Sequence, residues 1–69
     1  MIKKGKYIHY KGKKYEVIGT ALHSETMEEL VVYRPLYKSI SELWVRPAKM
    51  FTENVTIEGK EVPRFKFIG

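Results

Sequence analysis

The sequence contains no cysteine and no aspartate, so all eight of its acidic residues are glutamate. Without cysteine the chain has neither a disulfide framework nor a thiolate metal site. A domain of 69 residues buries only about 60% of the surface that its unfolded chain exposes. We therefore expect the five Tyr, three Phe and one Trp to form much of the core, because aromatic side chains bury large areas. Such a small interior leaves little room for a deep active-site pocket.

Long apolar runs are absent as well. The longest spans residues 30–33, whereas a transmembrane helix needs about 20 apolar residues. Residues 1–4 are followed by Gly5 and Lys6, where a signal peptide would continue with an apolar stretch. We therefore expect residues 1–69 to form a single soluble domain, located in the cytoplasm and without a membrane partner. Residues 1–5 are a candidate for disorder.

The net charge of +5 is concentrated in the first part of the chain. Residues 1–16 hold six lysines and one glutamate, whereas residues 17–69 hold seven basic and seven acidic residues. A localised basic surface attracts phosphate backbones or acidic partners. The alternative is a lysine-rich hairpin that keeps a small protein soluble and prevents an edge strand from pairing with other chains.

Short strand-like segments separated by turn residues dominate the sequence, and helical periodicity is poor. We predict strands near residues 6–10, 14–22, 29–36, 43–46, 55–57 and 62–68. Lys11 and Gly12 form the turn of a first hairpin. Pro47 begins a helical or 3₁₀ turn over residues 47–51, because proline suits the first position of a helix. Five or six short antiparallel strands with tight turns predict a mostly-β fold, as a small barrel or an open sandwich.

The second predicted strand changes phase at Gly19. Tyr15 and Val17 share one face of this strand, whereas Ile18 and Leu22 share the other. A glycine inside a strand often marks a bulge or a sharp bend. We therefore predict a long, bent strand of the kind that a small barrel requires.

Several short motifs occur in order along residues 6–67, and together they resemble a known family. The motifs are His9-Tyr10-Lys11-Gly12, Tyr15-Glu16-Val17, His23-Ser24-Glu25-Thr26, Glu28-Glu29-Leu30-Val31-Val32-Tyr33-Arg34, Leu43-Trp44-Val45-Arg46-Pro47, Met50-Phe51 and Gly59-Lys60-Glu61-Val62-Pro63-Arg64-Phe65. The combination resembles a family of short bacterial domains of unknown function. The resemblance implies an SH3-like β-barrel and carries no assigned activity, cofactor or catalytic residue. The sequence departs from the family pattern at residues 38–42, where the family has a turn rich in Gly and Asp.

His23, Glu25, Glu28 and Glu29 supply imidazole and carboxylate groups, which are suitable ligands for a divalent cation. Adjacent glutamates on a strand point to opposite faces, however. A tight first hairpin also pairs His9 with residues near its own turn rather than with His23. We therefore assign no metal ligand.

Ser24, His23 and Glu25 also supply the residue types of a nucleophilic triad. A triad needs a base and an orienting group that the fold brings together, and adjacency in sequence does not do this. No glycine-rich elbow or phosphate-binding loop accompanies these residues. We therefore assign no catalytic or cofactor-binding residue and expect no cofactor.

Trp44 and Arg46 share one face of the predicted strand over residues 43–46, and Leu43 and Val45 share the other. We expect Leu43 and Val45 to face the core, which would leave Trp44 and Arg46 at least partly exposed. An arginine beside an aromatic ring can stack on a base, hold a phosphate or bind a carboxylate. This candidate binding surface also includes other arginine and tyrosine residues: Arg34, Tyr33 and Tyr37. The alternative is that Trp44 covers the open end of a thin core while Arg46 pairs with a glutamate.

The first hairpin presents a second candidate surface. Tyr7 and His9 share a face of its first strand, opposite Ile8 and Tyr10. The turn adds three lysines: Lys11, Lys13 and Lys14. Aromatic residues interleaved with lysines suit single-stranded nucleic acid, because bases stack on the rings and lysines follow the backbone. The alternative is a packed hairpin with a charged exterior.

The leading hypothesis is a non-catalytic, SH3-like binding module whose partner is nucleic acid, bound through the basic hairpin and exposed aromatic rings. The alternative partner is a protein segment, either a proline-rich peptide in an aromatic groove or a strand added to a sheet edge. A small metal-dependent or hydrolytic enzyme is the third hypothesis. A nucleic-acid site requires the fold to bring the basic hairpin next to the surface around Trp44 and Arg46.

Overall fold

The structure is a computed structural model that describes residues 2–69. These residues form seven strands and one short helix, in the order β1 (Gly5–His9), β2 (Lys14–Leu22), β3 (Glu29–Pro35), β4 (Trp44–Pro47), α1 (Ala48–Phe51), β5 (Asn54–Ile57), β6 (Lys60–Pro63) and β7 (Phe65–Phe67). The predicted mostly-β class, with short antiparallel strands and one short helical turn, is confirmed. Of the segment considered a candidate for disorder, Met1 lies outside the described residues, and Ile2 packs against the core.

The strands form a five-stranded antiparallel sheet in the order β4-β3-β2-β1-β7 and a separate hairpin of β5 and β6. The predicted bulge is present in β2: Val17 pairs with Tyr33 and Gly19 pairs with Val32, so the register shifts between them. A bulge bends its strand and increases the local twist. The sheet can therefore curve around a core instead of lying flat.

Residues 2–69 form seven strands rather than five or six because the expected strand over residues 62–68 is divided. Its first part pairs with β5 as β6, and its second part pairs with β1 as β7. Arg64 lies at the bend between them. Its backbone N–H donates to the carbonyl of Glu53 at 3.0 Å, and its own carbonyl accepts from the N–H of Tyr10 at 3.0 Å. Arg64 therefore connects the hairpin to the main sheet.

The core consists of six buried side chains, four of which are aromatic: Tyr7, Val17, Val31, Tyr33, Phe51 and Phe65. Helix α1 places Phe51 directly against the sheet. The rings of Phe51 and Phe65 stack with centroids 4.2 Å apart and planes only 5° from parallel. The expectation that aromatic residues dominate the core is therefore met. Within residues 2–69 no helix is long and apolar enough to cross a membrane.

Candidate functional site

Strand β4 places Trp44 and Arg46 on the inner face of the sheet. Trp44 pairs with Tyr33, and Arg46 pairs with Val31. Residues directly opposite each other on antiparallel strands project to the same face, and both Val31 and Tyr33 belong to the core. Trp44 is nevertheless 39% exposed, because β4 is an edge strand of the five-stranded sheet. We call the end of the core beside β4 the mouth of the domain.

The prediction that Leu43 and Val45 face the core is wrong. Leu43 is 54% exposed and Val45 is 58% exposed. The inner positions instead hold side chains with long apolar portions and a polar end, which can cover a core while reaching solvent. The guanidinium of Arg46 lies over the ring of Phe65, with its Cζ atom 5.5 Å from the ring centroid.

Four aromatic rings and one guanidinium surround a pocket of about 200 Å³ at this mouth. We call it the aromatic pocket, and its lining residues are Tyr15, Tyr33, Tyr37, Trp44 and Arg46. The ring of Tyr15 meets those of Tyr33 and Tyr37 edge to face, with centroids 5.3 Å and 5.5 Å apart. The hydroxyls of Tyr15 and Tyr37 share a hydrogen bond of 2.7 Å. The pocket therefore presents ring faces and edges held in a defined arrangement.

The loop between β3 and β4 orders one wall of the aromatic pocket. This loop contains residues 38–42, where the sequence departs from the family pattern. The indole Nε1 of Trp44 donates to the hydroxyl of Ser39 at 3.3 Å. The hydroxyl of Ser41 donates to the carbonyl of Leu43 at 2.8 Å. Hydrogen bonds with two serines therefore fix the position of the loop and of the indole.

Arg46 has an unusual electrostatic environment. Its Nε is buried and has no hydrogen-bond partner among residues 2–69. No described carboxylate forms an ion pair with it, whereas Arg34 pairs with Glu16 at 2.6 Å and Arg64 with Glu53 at 3.0 Å. The alternative in which Arg46 pairs with a glutamate is therefore not what the structure shows. Its positive charge is therefore not neutralised by any carboxylate among residues 2–69.

The basic hairpin between β1 and β2 reaches the aromatic pocket. The Nζ atom of Lys13 lies 4.8 Å from the centroid of the Tyr37 ring. Lys11 lies over the neighbouring ring of Tyr10, at 5.8 Å. A lysine over an aromatic face is attracted by the quadrupole of the ring. The two candidate surfaces that are separate in sequence are therefore contiguous in the fold.

His9 lies beside the pocket, between the hairpin and the core. Its ring centroid is 4.4 Å from that of Tyr10 and 4.9 Å from that of Phe65. Its Nδ1 accepts from the backbone N–H of Lys11 at 3.2 Å. Burial holds the pKa of His9 below its ordinary value, and the positive charges of Arg46, Arg64 and Lys11 lower the pKa further.

Tyr15 is also perturbed. Burial and the hydrogen bond with Tyr37 raise the pKa of Tyr15 to about 12. The phenol is therefore neutral at physiological pH, and it contributes a ring and a hydroxyl to the pocket rather than a negative charge. The cationic character of the site comes from Arg46 and from the lysines of the hairpin.

Of the predicted surface residues, Tyr33, Tyr37, Trp44 and Arg46 line the pocket, and two others lie apart from both the pocket and the residues beside it. Arg34 projects from the outer face of the sheet, where its Nε donates to Glu16 at 2.8 Å. Lys14 pairs with Ile8 on β1 and is exposed. The structure instead brings together the other predicted residues: His9, Lys11, Lys13, Tyr37, Trp44 and Arg46. The sequence analysis did not include Tyr15 in the site, because strand alternation placed it with Val17 on the core side. The pairing of β2 with β3 brings Tyr15 next to Tyr37.

The residues around His23 form a turn rather than a cluster of ligands. The Nδ1 of His23 accepts from the backbone N–H groups of Glu25 and Thr26, at 3.1 Å and 3.3 Å. His23 follows the end of β2 opposite to the end near His9. Among residues 2–69 no group of three or more His, Cys, Asp or Glu side chains has an arrangement that could hold a metal ion.

A second depression lies between β1 and the β5–β6 hairpin. Its volume is about 450 Å³, and most of its exposed surface is apolar. The residues that line it are Ile8, His9, Tyr10, Gly12, Ile57, Val62, Pro63 and Lys66. We call it the apolar groove. His9 and Tyr10, which lie at the basic hairpin, are therefore part of the lining of this groove.

The comparisons with known proteins are consistent with the observed fold. Residues 5–67 match the model of a family described as a protein of unknown function, DUF1653. The chain therefore belongs to this family. A crystal structure of a DUF1653 protein from Bordetella bronchiseptica is 35% identical to this chain and superimposes with a TM-score of 0.92, covering 99% of this chain and 88% of the other. A comparison with curated proteins found no match.

Proposed function

We propose that this DUF1653 domain is a non-catalytic binding module for single-stranded nucleic acid. One base would enter the aromatic pocket, and the neighbouring phosphates would lie along the basic hairpin. The main supporting observation is the position of Lys13, whose Nζ is 4.8 Å from the ring centroid of Tyr37. This contact joins the region that holds the net positive charge to the region that holds the exposed rings. Such a partner is consistent with the cytoplasmic location expected from the sequence.

The charge of the pocket favours a neutral or anionic ligand. Aromatic cages are well suited to cations such as methylated lysine. Here the guanidinium of Arg46 lines the pocket without a carboxylate partner among residues 2–69, and the ammonium of Lys13 lies at its rim. A cationic ligand would be repelled by both groups, whereas a base that carries phosphates on either side would be attracted.

The size and position of the pocket favour a single, unstacked base. Its volume of about 200 Å³ is below the roughly 300–1,000 Å³ of pockets that enclose drug-sized ligands. A base inside a duplex is stacked on both sides and cannot enter a pocket in another molecule without being extruded. Stacking on aromatic side chains is a sequence-tolerant way to hold single strands and contributes about 1–3 kcal/mol per base.

A titration with a mixed-sequence single-stranded oligonucleotide, and with its duplex, tests this proposal. Trp44 is the only tryptophan in the chain, so its fluorescence reports directly on the pocket, and NMR amide shifts identify the surface that responds. We expect shifts at Tyr37, Trp44 and the hairpin, tighter binding of the single strand, and a log–log salt slope of about −0.7 per neutralised phosphate. Tighter binding of the duplex would contradict the proposal.

Charge reversal in the hairpin provides the corresponding variant. Replacing Lys11, Lys13 and Lys14 together by Glu should abolish binding. The single substitution Lys13→Glu should weaken binding and flatten the salt dependence, because one phosphate contact is lost. Lys60→Glu, an identical change of charge in the separate β5–β6 hairpin, is the matched control and should have a much smaller effect. Unchanged binding by the triple variant would refute the role of the hairpin.

The apolar groove supports a second candidate function, which is the binding of a protein segment. Its walls include Tyr10 and Pro63 together with Ile8, Ile57 and Val62, and grooves with aromatic walls bind proline-rich peptides. A proline-rich peptide titrated against the domain should then shift the amides of Ile8 and Ile57 rather than those of Trp44. This binding should depend little on salt and should survive the triple lysine substitution.

A further inference from the structure

Arg46 is the one charged side chain among the described residues that line the aromatic pocket. A guanidinium carries only donors, and no carboxylate lines the pocket. The indole N–H of Trp44 already donates to Ser39, and the hydroxyls of Tyr15 and Tyr37 are bonded to each other. Because its charge strengthens a hydrogen bond, Arg46 is the group that we expect to interact with the edge of a bound base.

Arg46 is also held in place before any ligand arrives. Its guanidinium lies over the ring of Phe65, with Cζ 5.5 Å from the centroid, and its Nε is buried. The planar fork of arginine loses less entropy per hydrogen bond when it is already oriented. An anchored fork discriminates between edges of different hydrogen-bonding pattern, whereas a mobile point charge adapts to either.

The two purines offer opposite patterns to such a fork. Guanine presents two neighbouring acceptors, O6 and N7, whereas adenine presents the acceptor N7 beside the N6 amino donor. Their rings are similar in size, so stacking in the pocket contributes equally to both. Adenine would leave an amino group facing the guanidinium without an acceptor between them, and an unsatisfied donor in a partly buried site is costly.

We propose, on the basis of the function proposed above, that Arg46 reads the base in the aromatic pocket and that the pocket binds guanine in preference to adenine. The contact pairs the guanidinium with O6 and N7. Lys13 and its neighbours contact phosphates and are indifferent to the base, since phosphate contacts position a strand without reading its sequence.

The test uses single strands in which one central base is flanked by abasic positions, so that only that base can occupy the pocket. The central base is guanine, adenine, inosine or 7-deazaguanine, and binding is measured by fluorescence anisotropy of a labelled strand. We expect guanine and inosine, which share O6 and N7, to bind about tenfold more tightly than adenine. The 7-deazaguanine strand, which lacks N7, should lose most of this advantage.

Two variants assign the preference to a residue. Arg46→Lys keeps the charge but removes the fork, so it should bring the affinities for guanine and adenine to within about twofold of each other. Arg34→Lys is the matched control, because Arg34 pairs with Glu16 on the outer face, and it should retain the preference.

The outcomes separate this inference from the function on which it rests. If none of the four strands binds, and the mixed oligonucleotide does not bind either, both proposals are overturned. If all four bind equally, the domain is a single-strand binder that does not read the base, and the inference alone is overturned. A preference for guanine that persists in Arg46→Lys would show that another group reads the base and would refute the assignment to Arg46.

Discussion

The centre and the mouth of this domain are built from the same kind of side chain but differ in how they are covered. At the centre, Phe51 is only 2% exposed and its ring stacks on Phe65, because α1 lies over this part of the sheet. At the mouth, Tyr37 and Trp44 are about 40% exposed, and a loop with two serines replaces the helix. Aromatic contacts connect the two regions through Tyr15, whose ring meets both Phe65 and Tyr37.

This difference places the proposed binding surface directly beside the part of the core that stabilises the domain. Every aromatic ring that α1 covers contributes its area to folding, since apolar burial contributes roughly 25 cal/mol per Å². Rings beyond the reach of α1 keep a free face. Arg46 lies at the boundary, stacked on Phe65 of the core and lining the aromatic pocket. The proposed binding surface is thus the end of the core that α1 does not cover.

The largest expected effect is the loss of stability in Phe51→Ala. Removing a fully buried phenylalanine costs about 3–5 kcal/mol, and a domain of this length has a total stability of only about 3–10 kcal/mol. We therefore expect partial or complete unfolding at room temperature, measured by chemical denaturation followed by circular dichroism. Trp44→Ala should cost less than about 2 kcal/mol, because much of the indole is exposed.

The conservative variant Phe51→Leu controls for the loss of side-chain volume. It should recover a large part of the stability, since leucine fills most of the space beneath α1. Equal losses of stability in Phe51→Ala and Trp44→Ala would mean that the mouth is as much a part of the core as the centre, and the distinction between the two regions would fail.

The second effect concerns binding and reverses the order of the two residues. Trp44→Ala should weaken binding of a single-stranded oligonucleotide roughly 5- to 150-fold, because stacking on an aromatic side chain contributes about 1–3 kcal/mol per base. Phe51→Leu should bind as the unchanged protein does. Both affinities can be measured by anisotropy of a labelled strand. Leu43→Ala, a change at an exposed neighbour of Trp44, should leave the affinity within twofold, and a comparable loss there would argue against stacking on the indole.

The sequence predicts local turns better than it predicts the pairing of distant segments. The short helix follows the proline as expected, although it begins at Ala48 and Pro47 is its N-cap. The turn at Lys11 and Gly12 also follows from a local rule, because Gly12 has a φ of 100°, which glycine adopts without strain. The division of the last strand at Arg64 does not, since it depends on backbone hydrogen bonds to Glu53 and Tyr10, which belong to different parts of the chain.

The faces of β4 could not be assigned from hydrophobicity either. Alternation separates Leu43 and Val45 from Trp44 and Arg46 correctly, but it does not say which pair faces inward. The decision depends on Phe65, which offers a ring face to the guanidinium of Arg46 and comes from a distant strand. In an edge strand such as β4, the pattern of apolar residues alone therefore does not show which face is turned toward the core.

A smaller effect is expected in the pH dependence of stability at the junction of the two regions. The pKa of Tyr15 is raised from 10.0 to about 12, so the folded state holds this proton more tightly than the unfolded state. Its contribution to stability is fully present below pH 10 and is lost as the pH rises through about 12. Chemical denaturation at several pH values from 9 to 12 should show this loss.

Tyr15→Phe is the control for that measurement. The phenylalanine keeps the ring but has no titrating group, so the loss of stability above pH 10 should become shallower. Some pH dependence should remain, because burial also raises the pKa of Tyr7. An identical pH profile in the two proteins would show that Tyr15 is not held at the junction in the way the structure indicates.

The smallest expected effect is a change in the pKa of His9, and it measures the charge of the mouth without any ligand. Burial is the largest cause of the lowered pKa, and the positive charges of Arg46, Arg64 and Lys11 lower the pKa further. The stability that His9 contributes is therefore present above pH 6.5 and is lost as the pH falls through its lower folded value. Arg46→Gln removes one of the three charges, so an NMR titration of the His9 ring should show its pKa move upward, toward the ordinary value. Arg34→Gln, on the outer face, should leave it unchanged. Equal shifts in the two variants would mean that His9 responds to the net charge of the whole domain, and the mouth would then have no distinct positive field with which to attract a phosphate backbone.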